Sequence, residues 1–266
     1  MPQQQPAQPP TSLTPEAYQV AVMYRLGQPT AEYRPRFTIR KAIGLALLFA
    51  SGPAFLLLAL VSSSSIELSG VIALLILSGI GFVTPVWIVV DLVRSREMRV
   101  YVCPAGLLYH AQGTTTAIRW DQVEAFWQRV IRRYSYGIST GSTHRYTILR
   151  SDGVTFTFND RLDHVEALGT TIARETARLL WPRYIASYQA GQTLSFGPIS
   201  LNQQGVSNGK ERLTWQQIKA ITLTRGFLSI QQAGTTARKW NVQASKIPNI
   251  NLFMTLVNSI VNRGRG

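Results

Sequence analysis

The chain is poor in the residues that build metal and disulfide sites. It has one cysteine, Cys103, and three scattered histidines, His110, His144 and His164. A single thiol excludes an internal disulfide framework, and no Cys/His group stands at zinc-ligand spacing. No Gly-rich loop follows a strand and opens a helix, so nucleotide binding has no support. Acidic residues are also scarce: 13 Asp and Glu face 27 Lys and Arg, for a net charge of +14. Neither a cofactor nor a metal is expected.

The excess of positive charge is uneven. Residues 1–41 hold five basic and two acidic groups, residues 42–98 two and three, and residues 99–266 twenty and eight. A surplus concentrated in the C-terminal two thirds draws anionic surfaces, either lipid headgroups or nucleic acid. No nucleic-acid-binding motif accompanies it, so nucleic acid is not the expected partner.

Two uncharged apolar runs, Ala42–Val61 and Leu68–Val90, are separated only by Ser62–Glu67. A hydrocarbon core about 30 Å thick takes about 20 helical residues, so each run is long enough to cross it. The competing reading, two buried helices of a soluble core, fits such long uncharged runs less well. The mean hydropathy is only +0.04, so polar soluble parts must balance these runs. Arg34, Arg36, Arg40 and Lys41 precede the first run; Arg94, Arg96 and Arg99 follow the second. The positive-inside rule then places both termini in the cytoplasm, at the cell membrane. Gly44, Ser51, Gly52, Ser69, Gly70, Ser78, Gly79 and Gly81 offer small surfaces for close helix packing. No ionisable residue lies inside either run, so no ion or proton path is indicated.

Met1–Pro15 is rich in Pro and Gln, lacks the apolar core of a secretory signal, and reads as a disordered tail. Residues 16–41 read as a short helix, with Ala17, Val20, Ala21 and Tyr24 on one stripe, and a basic juxtamembrane segment. The transmembrane hairpin is expected over residues 42–93.

Beyond the hairpin the chain repeats a phrase. Gly106-Leu107 matches Gly205-Val206, and the seven residues Trp120–Phe126 match Trp215–Ile221. Gln112-Gly113 and Asn208-Gly209 supply a turn signal between these anchors in each copy. Both copies then read as strand, turn, strand and an amphipathic helix, with Asp160 as the expected cap of the first helix. Internal duplication follows. The unit resembles the pleckstrin-homology-like fold of bacterial membrane proteins, over about residues 98–262, on the strength of the G-apolar and W-x-Q-[VI]-x-A-[FI] phrases. The resemblance implies a membrane-anchored α+β protein. Its two-helix hairpin would be followed by PH-like units at 98–188 and 192–262, each with antiparallel strands closed by a C-terminal helix. It further implies that Trp120, Val123 and Phe126, and Trp215, Ile218 and Ile221, pack a barrel, and that the protein binds or scaffolds without catalysis.

Three local patterns imitate catalytic motifs. Gly137–Gly141 fits G-x-S-x-G around Ser139, but no helix follows the polar stretch Tyr134–Thr143, which reads as an exposed loop. Ser207–Lys210 fits S-x-x-K on an Asn-Gly hairpin, where turn formation explains it. His110 alternates with Leu108 along a strand and reads as a packed or edge histidine. No catalytic set is expected. One basic cluster stands out: Arg129, Arg132 and Arg133, with Arg94, Arg96 and Arg99 near the bilayer, are the expected contacts to anionic lipid. Each nearby charge is worth about 1 kcal/mol, and an ordinary solvated edge is the competing reading. The leading functional expectation is a non-enzymatic, membrane-anchored scaffold for a protein partner, and the alternative is an anionic-lipid sensor. Oligomeric state is not legible.

Overall fold

The computed structural model describes residues 14–36, 39–62, 68–135, 138–234 and 239–263. Most of the expected N-terminal tail, the Ser62–Glu67 connection beyond Ser62, and Gly137 lie outside them.

Helix α1 (Pro15–Met23) starts where its sequence directs. Thr14 caps it, its hydroxyl accepting from the Ala17 N–H at 3.4 Å, with Pro15 in the first turn and Glu16 complementing the helix N-terminus. Ala17 and Ala21 are buried with Leu26, Tyr101, Cys103, Leu108 and Ala117, so α1 covers a sheet. Of the expected stripe, Ala17, Val20 and Ala21 face this core, while Tyr24 is exposed. Strand β1 (Ala31–Tyr33) follows, then α2 (Ile39–Ser62), α3 (Leu68–Arg96) and β2 (Arg99–Cys103). Strand β1 pairs antiparallel with β2, Ala31 opposite Val102 and Tyr33 opposite Val100. Residues 34–99 are therefore an excursion whose two ends are stitched into one sheet.

The expected pair of membrane spans is not upheld. Among the described residues one stretch, Ser69–Val90 of α3, is long and apolar enough to cross a bilayer, with a mean hydropathy of 2.3. Among the described residues of α2 the apolar stretch is Leu47–Val61, shorter than a hydrocarbon core requires. Arg40 and Lys41 fall in the first turn of α2 and bound its apolar part on the N-terminal side. Of the expected small residues, Gly52, Ser78 and Gly81 stand at the contact between α2 and α3, whereas Gly44 and Gly79 face open space. A Cβ at Gly81 would stand 2.8 Å from Gly52 Cα, and Ser78 Oγ donates to Gly52 O at 3.0 Å, so α2 and α3 cross closely at this point.

Strands β3 (Gly106–Ala111) and β4 (Thr114–Arg119) complete a four-stranded sheet in the order β1-β2-β3-β4. A 3-10 turn at Trp120–Gln122 leads to a second sheet of β5 (Val123–Ser135), β6 (Ile138–Arg150) and β7 (Thr155–Asn159), and α4 (Val165–Gln189) follows. The succession then repeats. β8 (Leu194–Phe196), β9 (Ile199–Asn202), β10 (Gly205–Ser207) and β11 (Arg212–Thr214) form four strands. A 3-10 turn at Trp215–Gln217 leads to β12 (Ile218–Thr224), β13 (Phe227–Gln232) and β14 (Lys239–Gln243), and α5 (Ile250–Arg263) ends the chain.

Duplication of order is thus visible, but the expected PH-like units are not. The strands form four separate antiparallel sheets of four, three, four and three strands, with no ladder joining the sheets of either half among the described residues. The cause lies at the tryptophans. Each sits in a 3-10 turn that breaks the strand, and each indole N–H donates to the carbonyl ending an earlier strand: Trp120 to Cys103 O at 3.3 Å, Trp215 to Asn202 O at 3.1 Å. They are corner posts. Val123 and Phe126 are buried, whereas Ile218 and Ile221 are only partly so.

The halves share material. Early in α4, Val165, Leu168 and Ile172 are buried, while Leu180, Trp181, Tyr184 and Tyr188 pack on the core formed by Phe196, Leu201, Leu228, Phe253 and Leu256. The chain divides into two compact units: Met1–Tyr33, Val100–Tyr109 and Thr116–Gly266 form one, and Arg34–Arg99 with His110–Thr115 the other.

Cys103 is 1% exposed, and burial pushes its thiol up to about 11. At pH 7 its thiolate fraction is then about one in ten thousand. Maleimide labelling is expected to be slow in the native chain and rapid in denaturant. Rapid native labelling contradicts this placement of β2.

Candidate functional site

The two long strands β5 and β6 pair over nearly their whole length, Val123 opposite Arg150 through Ser135 opposite Ile138. The short strand β7 reaches only Arg145–Leu149 of β6. Beyond it the pair continues as a two-stranded ribbon. Ser139 therefore lies inside β6, opposite Tyr134, and not in the expected loop. A nucleophile elbow needs a strand-to-helix turn, which is not what stands here.

Period-two alternation assigns the faces. Phe126, His144, Tyr146, Ile148, Phe156 and Phe158 are buried on the inner face. The outer face carries the cross-strand rows Ala125–Leu149–Thr155, Trp127–Thr147–Thr157, Arg129–Arg145–Asn159 and Ile131–Thr143. Thr147 and Thr157 hydroxyls meet at 3.3 Å. Arg129 and Arg145 are both exposed and stand directly opposite each other. Neither has an ion-pair partner among the described residues.

Arg119 is paired with Asp121 at 2.7 Å and Arg150 with Asp152 at 2.5 Å. The hydrogen bond from Arg150 holds the Asp152 carboxyl down at about 2, and that from Arg119 holds Asp121 below the usual carboxylate range. Like charges opposed across a ladder destabilise it. An anion placed between Arg129 and Arg145 would remove that repulsion, and guanidinium groups are the side chains best suited to pair with phosphate.

Of the six arginines expected from sequence, the structure brings only some together. Arg129 lies on the outer face; Arg132, opposite Ser142, is exposed on the other face of the ribbon. Arg133 pairs with Gly141 by backbone register. Arg94 and Arg96 fall in the last turns of α3, and Arg99, half-buried, opens β2. The side chains of Arg94, Arg96 and Arg133 are outside the described residues. Arg94, Arg96 and Arg99 belong to one compact unit, the ribbon arginines to the other. Sequence reasoning missed Arg145. Its signal is the register of β5 against β6, which becomes readable only once Ser135 is paired with Ile138.

On the inner face His144 is held on both ring nitrogens: Nδ1 is 2.9 Å from Asp160 Oδ1, and Nε2 is 3.0 Å from Glu166 Oε1. Its backbone N–H donates to Asp160 Oδ2 at 2.8 Å. Asp160 therefore serves His144 and not the helix, whose N-cap is His164 with φ 51°. An imidazole so engaged has no free nitrogen to act as a base or a metal ligand. Beside it Tyr146 is pushed up to about 12, first by burial and then by the charges of Glu166 and Asp160. His110 bonds Thr115 at 2.8 Å near the end of its hairpin. Ser207–Lys210 forms the expected Asn-Gly turn, with Asn208 Oδ1 accepting from the Lys210 and Glu211 N–H groups.

No curated protein matches this chain. A family model described as a family of unknown function (DUF6585) matches residues 1–265, and the chain belongs to that family.

Proposed function

We propose that this is a non-enzymatic, membrane-associated protein whose sheet-forming unit docks on anionic lipid headgroups through the outer face of β5, β6 and β7. The observation that carries the reading is the opposed, unneutralised pair Arg129 and Arg145 beside Trp127. The bilayer is entered through α3, whose Ser69–Val90 stretch has the length and apolarity required. Arg94, Arg96 and Arg99 follow the apolar stretch and favour the cytoplasmic side. That leaflet carries the anionic lipid, and each Arg near it contributes about 1 kcal/mol.

A fluorophore at Thr157→Cys, on the outer face, tests docking in the full chain reconstituted in nanodiscs; the buried Cys103 leaves the new thiol as the reactive one. The emission is expected to shift blue in discs with anionic lipid and to return in 0.5 M salt on the order of the screening expected there. An identical spectrum in zwitterionic and anionic discs rejects the reading.

A second reading, a protein partner, rests on α1. Its outward face exposes Tyr18 and Val22 at 60% and Met23 at 74% while the other face packs on the sheet. Exposed apolar side chains gathered on one helix face suit a partner better than solvent. If this reading holds, a photocrosslinker at Val22 traps one protein reproducibly in native membranes and lipid composition leaves the Thr157 probe unchanged.

A further inference from the structure

The seam between the two halves is built around Asn249, buried and held at φ 51°. Its backbone N–H donates to Phe126 O at 2.8 Å, its Oδ1 accepts from the Phe126 N–H at 3.0 Å, and its Nδ2 donates to Glu124 O at 3.1 Å. One asparagine thus acts as an extra strand residue on the edge of β5. Next to it lies a cavity of about 10 Å³, bounded by Gln128 of β5, Thr176 of α4, and Asn249 and Leu252 at the start of α5.

Two polar atoms at this cavity are buried and have no hydrogen-bond partner among the described residues: Gln128 Nε2 and Thr176 Oγ1. Thr176 is 2% exposed. Elsewhere in the chain a helical threonine turns its hydroxyl back on its own helix. Thr170 donates to Glu166 O and Thr255 to Asn251 O, each at 2.9 Å. Thr176 does not make that bond. Leaving both groups unpaired carries a desolvation penalty for each, which native structures avoid. The cavity size suits one water molecule and no more, and two polar partners are enough to hold it.

We infer that one water molecule is an integral part of this seam. It accepts from Gln128 Nε2 and exchanges a hydrogen bond with Thr176 Oγ1, tying β5 to α4 where α5 begins. The site is distinct from the arginine face and does not depend on it.

Thr176→Val separates the two possibilities by sign, because valine keeps the shape and removes the hydroxyl. If water bridges the pair, the full chain melts about 2–4 °C lower, the size expected for one lost hydrogen bond in a chain of this length. If the hydroxyl is simply unpaired, the melting temperature stays unchanged or rises, and the inference is overturned. Gln128→Leu is expected to lower it similarly, and the double variant to lose less than the sum, since both act through one water. Additive losses contradict the bridge. A crystal structure of the unaltered chain supplies an independent check: density within about 3.2 Å of both atoms supports the water, and a clear absence of density overturns it.

Discussion

Replacing Gly106 or Gly205 by valine is expected to destabilise the sheet-forming unit by about 3 kcal/mol in each case, the upper end of the range for overpacking. These are matching glycines of the repeated phrase. A Cβ at Gly106 would run into the carbonyl oxygen of Ile118 and the Cα of Arg119; one at Gly205 would run into the carbonyl of Leu213 and the Cα of Thr214. In both cases the obstacle is the neighbouring strand's backbone, next to the tryptophan corner, so no side-chain rotation relieves it. Thermal unfolding followed by intrinsic fluorescence should show a fall of about 6–12 °C for each variant. An unchanged melting temperature for either one breaks the equivalence of the two halves.

The other large effect is electrostatic. Reversing Arg129 and Arg145 together to Glu changes the outer face by four charges. At about 1 kcal/mol per charge near an anionic leaflet, this removes about 4 kcal/mol of attraction, roughly a thousandfold in the docked population. Lys219→Glu with Arg225→Glu makes the same change in net charge on exposed residues of β12 and its turn. If docking is local to the arginine face, the second pair leaves it nearly intact. Net charge alone treats the two pairs alike.

What could be read from the sequence follows from how local each signal is. The Gly and Trp anchors and the Asn-Gly turn depend on residues within a few positions, and they reappear as close backbone contacts, strand corners and a turn. The helix start at Thr14 and Pro15 reads in sequence instead as the end of a disordered tail. Features that rest on distant pairing were not legible. Strand β1 has three residues, too few for a period, and its partner β2 lies beyond two helices. The sharing of α4 between halves, and the edge role of Asn249, depend on packing that no spacing encodes. Asp160 looked like a helix cap because of its position, yet His144, sixteen residues earlier, takes both its oxygens.

The arginine cluster shows the same division. Arg129, Arg132 and Arg133 are adjacent in sequence, but strand alternation sends Arg129 and Arg132 to opposite faces. The residue that completes the outer face, Arg145, comes from the other strand of the hairpin. A basic run marks a neighbourhood, and the register selects the partners.

The central claim is that this face, and not overall basicity, meets the anionic bilayer. The most direct measurement is the emission of the Thr157→Cys probe in anionic nanodiscs, compared among the otherwise unaltered chain, Arg129→Glu/Arg145→Glu and Lys219→Glu/Arg225→Glu. The expected result is a blue shift that disappears in the Arg129/Arg145 variant and survives in the Lys219/Arg225 variant. A shift that persists in the former, or vanishes equally in both, contradicts the claim.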